Sequence, residues 1–145
     1  AGRAEASGEV VLQTFQPDHP AVRLAAAHDY ESFYAVEVED RREVGYPPFA
    51  RLVAVRVHAG SESEAKRATQ QLAGVAKRHP AVREGAVQVL GPAPAPLARL
   101  RGRYHYRLLL KSSDRKLLRQ VAALVAARID EGLSPAHATL DIDPL

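Results

Sequence analysis

The sequence contains no cysteine, no methionine and no tryptophan among its 145 residues. Without cysteine it forms neither a disulfide nor a thiolate metal site. No apolar run approaches the roughly 18 residues that cross a bilayer, and no signal-peptide pattern opens the chain. We therefore expect a cytoplasmic protein without membrane contact. Because methionine is absent even at the first position, we also expect the sequence to be a piece of a longer protein.

The sequence also lacks the motifs that hold metals and phosphates. Its histidines include no pair four residues apart, the spacing that places two ligands on one helix face. No glycine-rich phosphate loop occurs, so we expect neither a metal nor ATP to bind this chain alone. Asp141 and Asp143 could form an acid pair, but such alternation more commonly marks a solvated strand face. We find no catalytic residues, and by itself the chain is not predicted to be an enzyme.

The sequence does contain a strongly basic segment. The formal net charge is only +3, so the basicity is local, which favours a surface patch over a polycationic tail. Between residues 99 and 116 there is one acid, Asp114, among seven basic residues: Arg99, Arg101, Arg103, Arg107, Lys111, Arg115 and Lys116. Basic side chains attract phosphate whatever the base sequence, and flat Tyr and Arg groups stack on bases.

This segment allows two interpretations. In the first it binds DNA through residues that are basic or aromatic, namely Arg99, Arg101, Arg103, Tyr104, Tyr106 and Lys111. In the second it is an amphipathic edge strand whose tyrosines pack on the core and whose arginines are merely solvated. The period of two along a strand sends Arg103, His105 and Arg107 to one face and the tyrosines to the other. The residues alone leave both interpretations open.

The hydrophobic pattern changes at residues 45–49, which read GYPPF and interrupt any regular element. Before this break we predict a strand over residues 8–15, a short helix from Pro20 and a helix over residues 30–42. After it we predict strands at 50–59, 87–90, 104–111 and 138–144, with helices at 65–77 and 115–131. The order βαββαβ predicts an α+β fold, a small split-βαβ sheet with two helices on one face.

Four short phrases carry a resemblance to a known family. Residues 8–14 read GEVVLQT, 46–49 YPPF, 90–94 LGPAP and 141–144 DIDP. In this order and spacing they closely resemble the C-terminal part of the bacterial replication-restart helicases, the PriA family or primosomal protein N′. The resemblance implies that residues 1–48 end the second helicase lobe with its terminal strand and helices. Residues 49–145 would then be the family's C-terminal domain, which is similar to a βαββαβ ribosomal protein.

The resemblance also implies properties of the longer protein. Members of the family are ATP-dependent 3′ to 5′ DNA helicases that use ATP, magnesium and zinc, and they act on the nucleoid. Their lobe ends in an arginine-rich AGRAGR motif, whereas residues 1–8 here read AGRAEASG. Arg3 is thus the remnant of a degenerate arginine-finger motif, and the change predicts feeble ATP hydrolysis. The alternative is that the motif is truncated or shifted at the end of this piece.

For the basic strand the resemblance implies a protein partner as well as DNA. The strand is similar to one that, in the family, helps form a pocket for the acidic, Phe-terminated tail of single-strand-binding protein. Arg103 matches the arginine that receives the tail's carboxylate, and Arg107 stands where relatives carry a polar amide. Our leading hypothesis is a docking domain for single-stranded and forked DNA, for single-strand-binding protein and for other primosome proteins. The alternative is a structural buttress of the helicase lobe without ligand contact.

Overall fold

The computed structural model describes residues 10–144. They divide into two compact units, one ending at Val44 and the other beginning at Gly45. Among these residues no helix is long and apolar enough to cross a bilayer. The first unit holds α1 (Pro20–Ala26) and α2 (Tyr30–Glu43). The second holds, in order, β1 (Arg51–Ala59), α3 (Glu62–Lys77), α4 (Pro80–Arg83), β2 (Gln88–Leu100), β3 (Arg103–Ser112), α5 (Arg115–Asp130) and β4 (His137–Ile142).

The first unit is a pair of helices with side-chain caps. His19 Nδ1 accepts from the backbone N–H of Ala21 at 3.2 Å to begin α1, and Asp29 accepts from Ser32 N–H at 3.0 Å to begin α2. The hydrogen bonds from Ser32 lower the pKa of Asp29. Both helix predictions are confirmed, but the strand predicted over residues 8–15 is not formed in its described part, residues 10–15. A strand needs a paired neighbour, and these exposed residues have none within the described part of the chain.

The second unit is a four-stranded antiparallel sheet in the order β2-β3-β1-β4. β3 pairs antiparallel with both β1 and β2, so β1 and β2 run parallel with β3 between them. β4 pairs antiparallel with the other side of β1. This is the split βαβ arrangement, and the predicted α+β fold with its βαββαβ order is confirmed.

The core lies between one face of the sheet and the two long helices. β1 contributes alternate residues Val53, Val55, Val57 and Ala59, and β3 contributes Tyr106, Leu108 and Leu110. The helices supply small and branched apolar side chains, including Ala65, Ala68, Leu72 and Ala76 of α3 and Leu118, Val121 and Val125 of α5. Both helices therefore cover the same face. The opposite face, called here the open face, carries the intervening residues of the same strands.

The two long helices in this unit begin at side-chain caps. Ser61 and Glu64 form a reciprocal capping box at α3, in which each side chain accepts from the other residue's backbone N–H. Asp114 caps α5 by accepting from the backbone N–H groups of Lys116 and Leu117. Ser112 stabilises the turn before that cap by donating to the Ala86 carbonyl at 2.6 Å. The segment from Ser112 to Asp114 is thus a cap, as its residues indicate.

The second strand is longer than predicted. We expected it to end at Gly91-Pro92, but β2 continues to Leu100 with register irregularities after Leu90 and after Pro94. An edge strand tolerates prolines because a missing N–H on its outer side breaks no ladder hydrogen bond. Gly91 adopts φ +106°, and a Cβ there would lie 3.0 Å from the Arg107 carbonyl oxygen. The LGPAP phrase therefore encodes a bulge and not a strand end.

The short helix α4 was not predicted, although the sequence carries a recognisable indication of it. The pentapeptide HPAVR occurs at residues 19–23 and again at residues 79–83. At both positions the histidine Nδ1 accepts from the N–H two residues later, and the proline occupies the first turn. The first copy suggested a helix to us, and the same pattern would have identified the second.

We expect Leu108→Ala to destabilise the domain by about 2–5 kcal/mol, because it leaves a cavity at a fully buried position between the sheet and both helices. The matched control is the adjacent Arg107→Ala on the open face, which should change the free energy of unfolding by no more than about 0.5 kcal/mol. Urea unfolding followed by far-UV circular dichroism measures both. Equal losses for the two variants would contradict the two-face assignment.

Candidate nucleic-acid interface

The basic segment folds into the β2–β3 hairpin and its continuation along β3. Leu100 pairs with Arg103, so the connecting loop is Arg101-Gly102. Both loop residues have positive φ, 49° and 75°. Positive φ at both positions is typical of the type I′ turn, whose twist matches that of the two strands it joins. Arg99, Arg101 and Arg103 are all exposed around this turn. The hairpin thus gathers the three arginines at one end of the sheet.

Tyr104 supports the hairpin arginines from the core side. It lies opposite Arg99 in the strand register and packs, partly buried, against the core. The Arg99 guanidinium carbon lies 5.5 Å from the centroid of the Tyr104 ring, within cation–π range. The contact orders the Arg99 side chain while leaving its outer N–H groups exposed.

Tyr106 lies deeper on the same side and is part of the core. Its side chain is 6% exposed, and its hydroxyl donates to Glu62 Oε1 at 2.9 Å. This hydrogen bond, together with burial, raises the pKa of Tyr106. A ring buried to this extent offers no free face to an external base, so its position does not support the predicted contact of Tyr106 with DNA.

The other side chains of β3 point to the open face, as the alternation predicts. Arg103 Nη1 lies 3.1 Å from Nδ1 of His58 on β1. Because guanidinium only donates, His58 Nδ1 is the acceptor and carries no proton. Lys111 is at the far end of β3, roughly 27 Å from Arg103, with its ammonium 5.9 Å from the Tyr46 ring centroid. Arg103 and Arg107 therefore belong to one region of the face and Lys111 to another.

Three histidines lie side by side across the open face, a feature that the sequence analysis missed. In the strand register His58 pairs with His105 of β3 on one side and with His137 of β4 on the other. The ring centroids are 5.5 Å and 5.4 Å apart, respectively. We call these residues the histidine row. Each occupies an open-face position of its strand, but only the pairing of three strands shows that the positions coincide.

The histidine row is not a metal centre. His105 and His137 lie on either side of β1, about 10 Å apart, so the rings do not surround a common point. Across residues 10–144 no group of three or more His, Cys, Asp or Glu side chains is arranged to hold a metal ion. The ATP, magnesium and zinc that the family resemblance implies belong to the longer protein, and Arg3 lies outside the described residues.

The electrostatics of the row favour a neutral imidazole at His58. Burial lowers the pKa of His58, and the positive charges of Arg103, His105 and His137 lower it further. The next row along the strands pairs Arg107 directly with Arg56, a like-charge arrangement that is destabilising by itself. Asp141 compensates Arg56 with an ion pair of 2.9 Å. Within the described residues Arg107 forms no ion pair or hydrogen bond through its side chain.

Comparison with known proteins identifies the family. The family model described as "Primosomal protein N C-terminal domain" matches residues 42–145. The chain belongs to this family. Its members are the C-terminal domains of PriA, so the resemblance stated from the four phrases is confirmed.

Curated relatives agree with this assignment to the PriA C-terminal domain. Replication restart protein PriA of Synechocystis is 33% identical over 99% of this chain, and that of Bacillus subtilis is 31% identical over 99%. The probable replication restart protein PriA of Deinococcus radiodurans is 41% identical over 82% of it. The chain spans 16%, 17% and 13% of these proteins, respectively. It therefore corresponds to less than a fifth of the length of each relative.

We predict that His58 makes the stability of this PriA domain pH-dependent. A histidine whose pKa is lower in the folded state stabilises the fold fully at pH values above its unfolded-state pKa. That contribution is lost as the pH falls through its folded-state pKa. His58→Gln should therefore lose less stability than the unsubstituted domain between about pH 8 and pH 5. Urea midpoints at both pH values measure this difference, and parallel losses in the two proteins would refute the role of His58.

Proposed function

We propose that this chain is a DNA-binding and partner-docking domain of a replication-restart protein, which recognises stalled or branched forks and single-strand-binding protein. The observation that carries the proposal is a group of exposed arginines, with Arg101 and Arg103 at the hairpin turn, Arg107 on the open face and Arg99 on the helix side of the same hairpin. None of them forms an ion pair with a carboxylate in the part of the chain that the structure describes. Uncompensated, exposed guanidinium groups on a rigid hairpin suit phosphate contacts.

The same surface suits the tail of single-strand-binding protein. An acidic peptide ending in a free carboxylate requires a planar double donor, which Arg103 offers with its fork of N–H groups. Arg107 lies on the same face two alternations further along β3 and adds a second positive charge. Membership of the PriA family supports this partner, and other primosome proteins are candidates for the same surface.

The remainder of the restart protein would supply the motor. We propose that residues 1–48 end its second helicase lobe and that residues 49–145 are the docking domain. The division between the two compact units after Val44 and the start of the family match at residue 42 both lie near this boundary. ATP binding, hydrolysis and unwinding would then belong to the part of the protein outside this chain.

We expect Arg103→Glu to weaken binding to single-stranded and forked DNA by about tenfold or more. The substitution removes one phosphate contact and adds repulsion, so the slope of log affinity against log salt should fall by about 0.7. The same variant should lose affinity for the acidic tail peptide. Fluorescence anisotropy over a salt series measures all three effects.

The matched control is Arg83→Glu, which changes the net charge equally. Arg83 ends α4, which precedes β2, so it is at the opposite end of β2 from the hairpin turn. This variant should bind nearly as well as the unsubstituted chain. If the original chain binds neither DNA nor the tail peptide at low salt, the buttress alternative is correct. If both variants lose affinity equally, the hairpin has no special role.

For the full-length protein we predict fork binding with feeble ATP hydrolysis. The motif around Arg3 has Glu5 and Ala6 where the family continues with Gly-Arg, and loss of an arginine finger removes about 10³-fold or more of the phosphoryl-transfer rate. DNA-stimulated phosphate release by the full-length protein tests this. A turnover of several per second would show that Arg3 alone suffices.

A further inference from the structure

The open face differs from an ordinary solvated sheet face in what its two central strands carry. Instead of mixed polar residues, β1 and β3 present paired imidazoles at one level and paired guanidinium groups at the next. His58 and His105 form the first pair, and Arg56 and Arg107 the second. Flat π-systems beside exposed positive charge are what single-strand binders use to stack bases while holding phosphates.

We propose that the histidine row is a base-stacking platform for single-stranded nucleic acid, flanked by arginines that hold its phosphates. The inference rests on the proposed function and deepens it, because it adds base contacts to the phosphate contacts of the hairpin. It also names the substrate as unpaired strands, since bases in an intact duplex have no free faces to offer.

The geometry of the row supports stacking on its outer rings. His58 and His105 are half-buried, which limits their motion, while His137 is exposed at the β4 edge. The ring planes of His58 and His137 are inclined by 29°, with their centroids 5.4 Å apart, so a base would stack on the outer rings of the row and not between these two. Arg103 lies on one side of the row, bonded to His58 at 3.1 Å. Arg107 and Arg56 lie on the other side, two residues along their strands.

His58 also makes binding sensitive to pH. It faces Arg103 and His105 from β3 and His137 from β4, and Asp141 of β4 is paired with Arg56. Because its neighbours are positive, His58 disfavours the protonated form when no nucleic acid is bound. Bound phosphates would favour the protonated form, so binding of the strand takes up protons and strengthens as the pH falls.

The test compares two labelled probes of about 15 nucleotides, an oligothymidylate and an abasic strand with the same number of phosphates. At fixed salt the chain should bind the thymidine probe about tenfold more tightly than the abasic one. Its affinity for the thymidine probe should rise between about pH 8 and pH 6. Fluorescence anisotropy measures both comparisons.

Two variants at position 105 separate stacking from hydrogen bonding. His105→Gln removes the ring and should lose most of the preference for thymidine, with little change toward the abasic probe. His105→Phe keeps a flat ring without its polar nitrogens, so it should retain the preference. The matched control His28→Asn removes an exposed histidine of the first unit, at a positive φ that asparagine tolerates, and should bind like the original chain.

The outcomes distinguish this inference from the proposed function. Equal affinity for the two probes, with a steep salt dependence and loss in Arg103→Glu, would overturn the stacking platform and leave the docking domain intact. No binding of either probe would overturn both. If a His105 variant fails to fold by circular dichroism, His137→Gln at the exposed edge replaces it, and an unchanged thymidine preference in that variant counts against the platform.

Discussion

The pairing of β1 with β3 is the constraint on which the rest of the structure depends. The two strands form the middle of the sheet, and their register decides simultaneously what is buried and what is presented. In this register Val55 lies opposite Leu108 on the helix side, while His58 lies opposite His105 on the open side. A slip by one residue would bury arginine and expose leucine. The apolar core therefore stabilises the same register that builds the binding surface.

The open face carries a cost that the core offsets. Arg56 and Arg107 are directly opposed, and like charges at directly opposed positions weaken the pairing of their strands. Only Arg56 has a carboxylate partner, Asp141. A phosphate or a carboxylate bound between the two groups would relieve this repulsion, which is consistent with the proposed function.

The edge strand β2 shows how the hairpin arginines are positioned. Its prolines and Gly91 interrupt the ladder twice, yet the strand rejoins β3 at Arg99 and turns tightly at Arg101-Gly102. An edge strand has one side free of pairing, so these irregularities cost less there than they would in the centre. The interruption also hinders a strand of another sheet from pairing with this edge. The result is a basic hairpin held by its own ladder and by Tyr104.

The sequence by itself determined the local features: the strand periods, the order βαββαβ and the side of β3 that carries Arg103 and Arg107. These depend on residues a few positions apart, and the period of a strand or helix reveals them. The continuation of β2 and the row formed by His58, His105 and His137 were decided only by the tertiary structure. Residues so distant along the chain meet through the pairing of three strands, and no local pattern encodes which positions will coincide across a sheet.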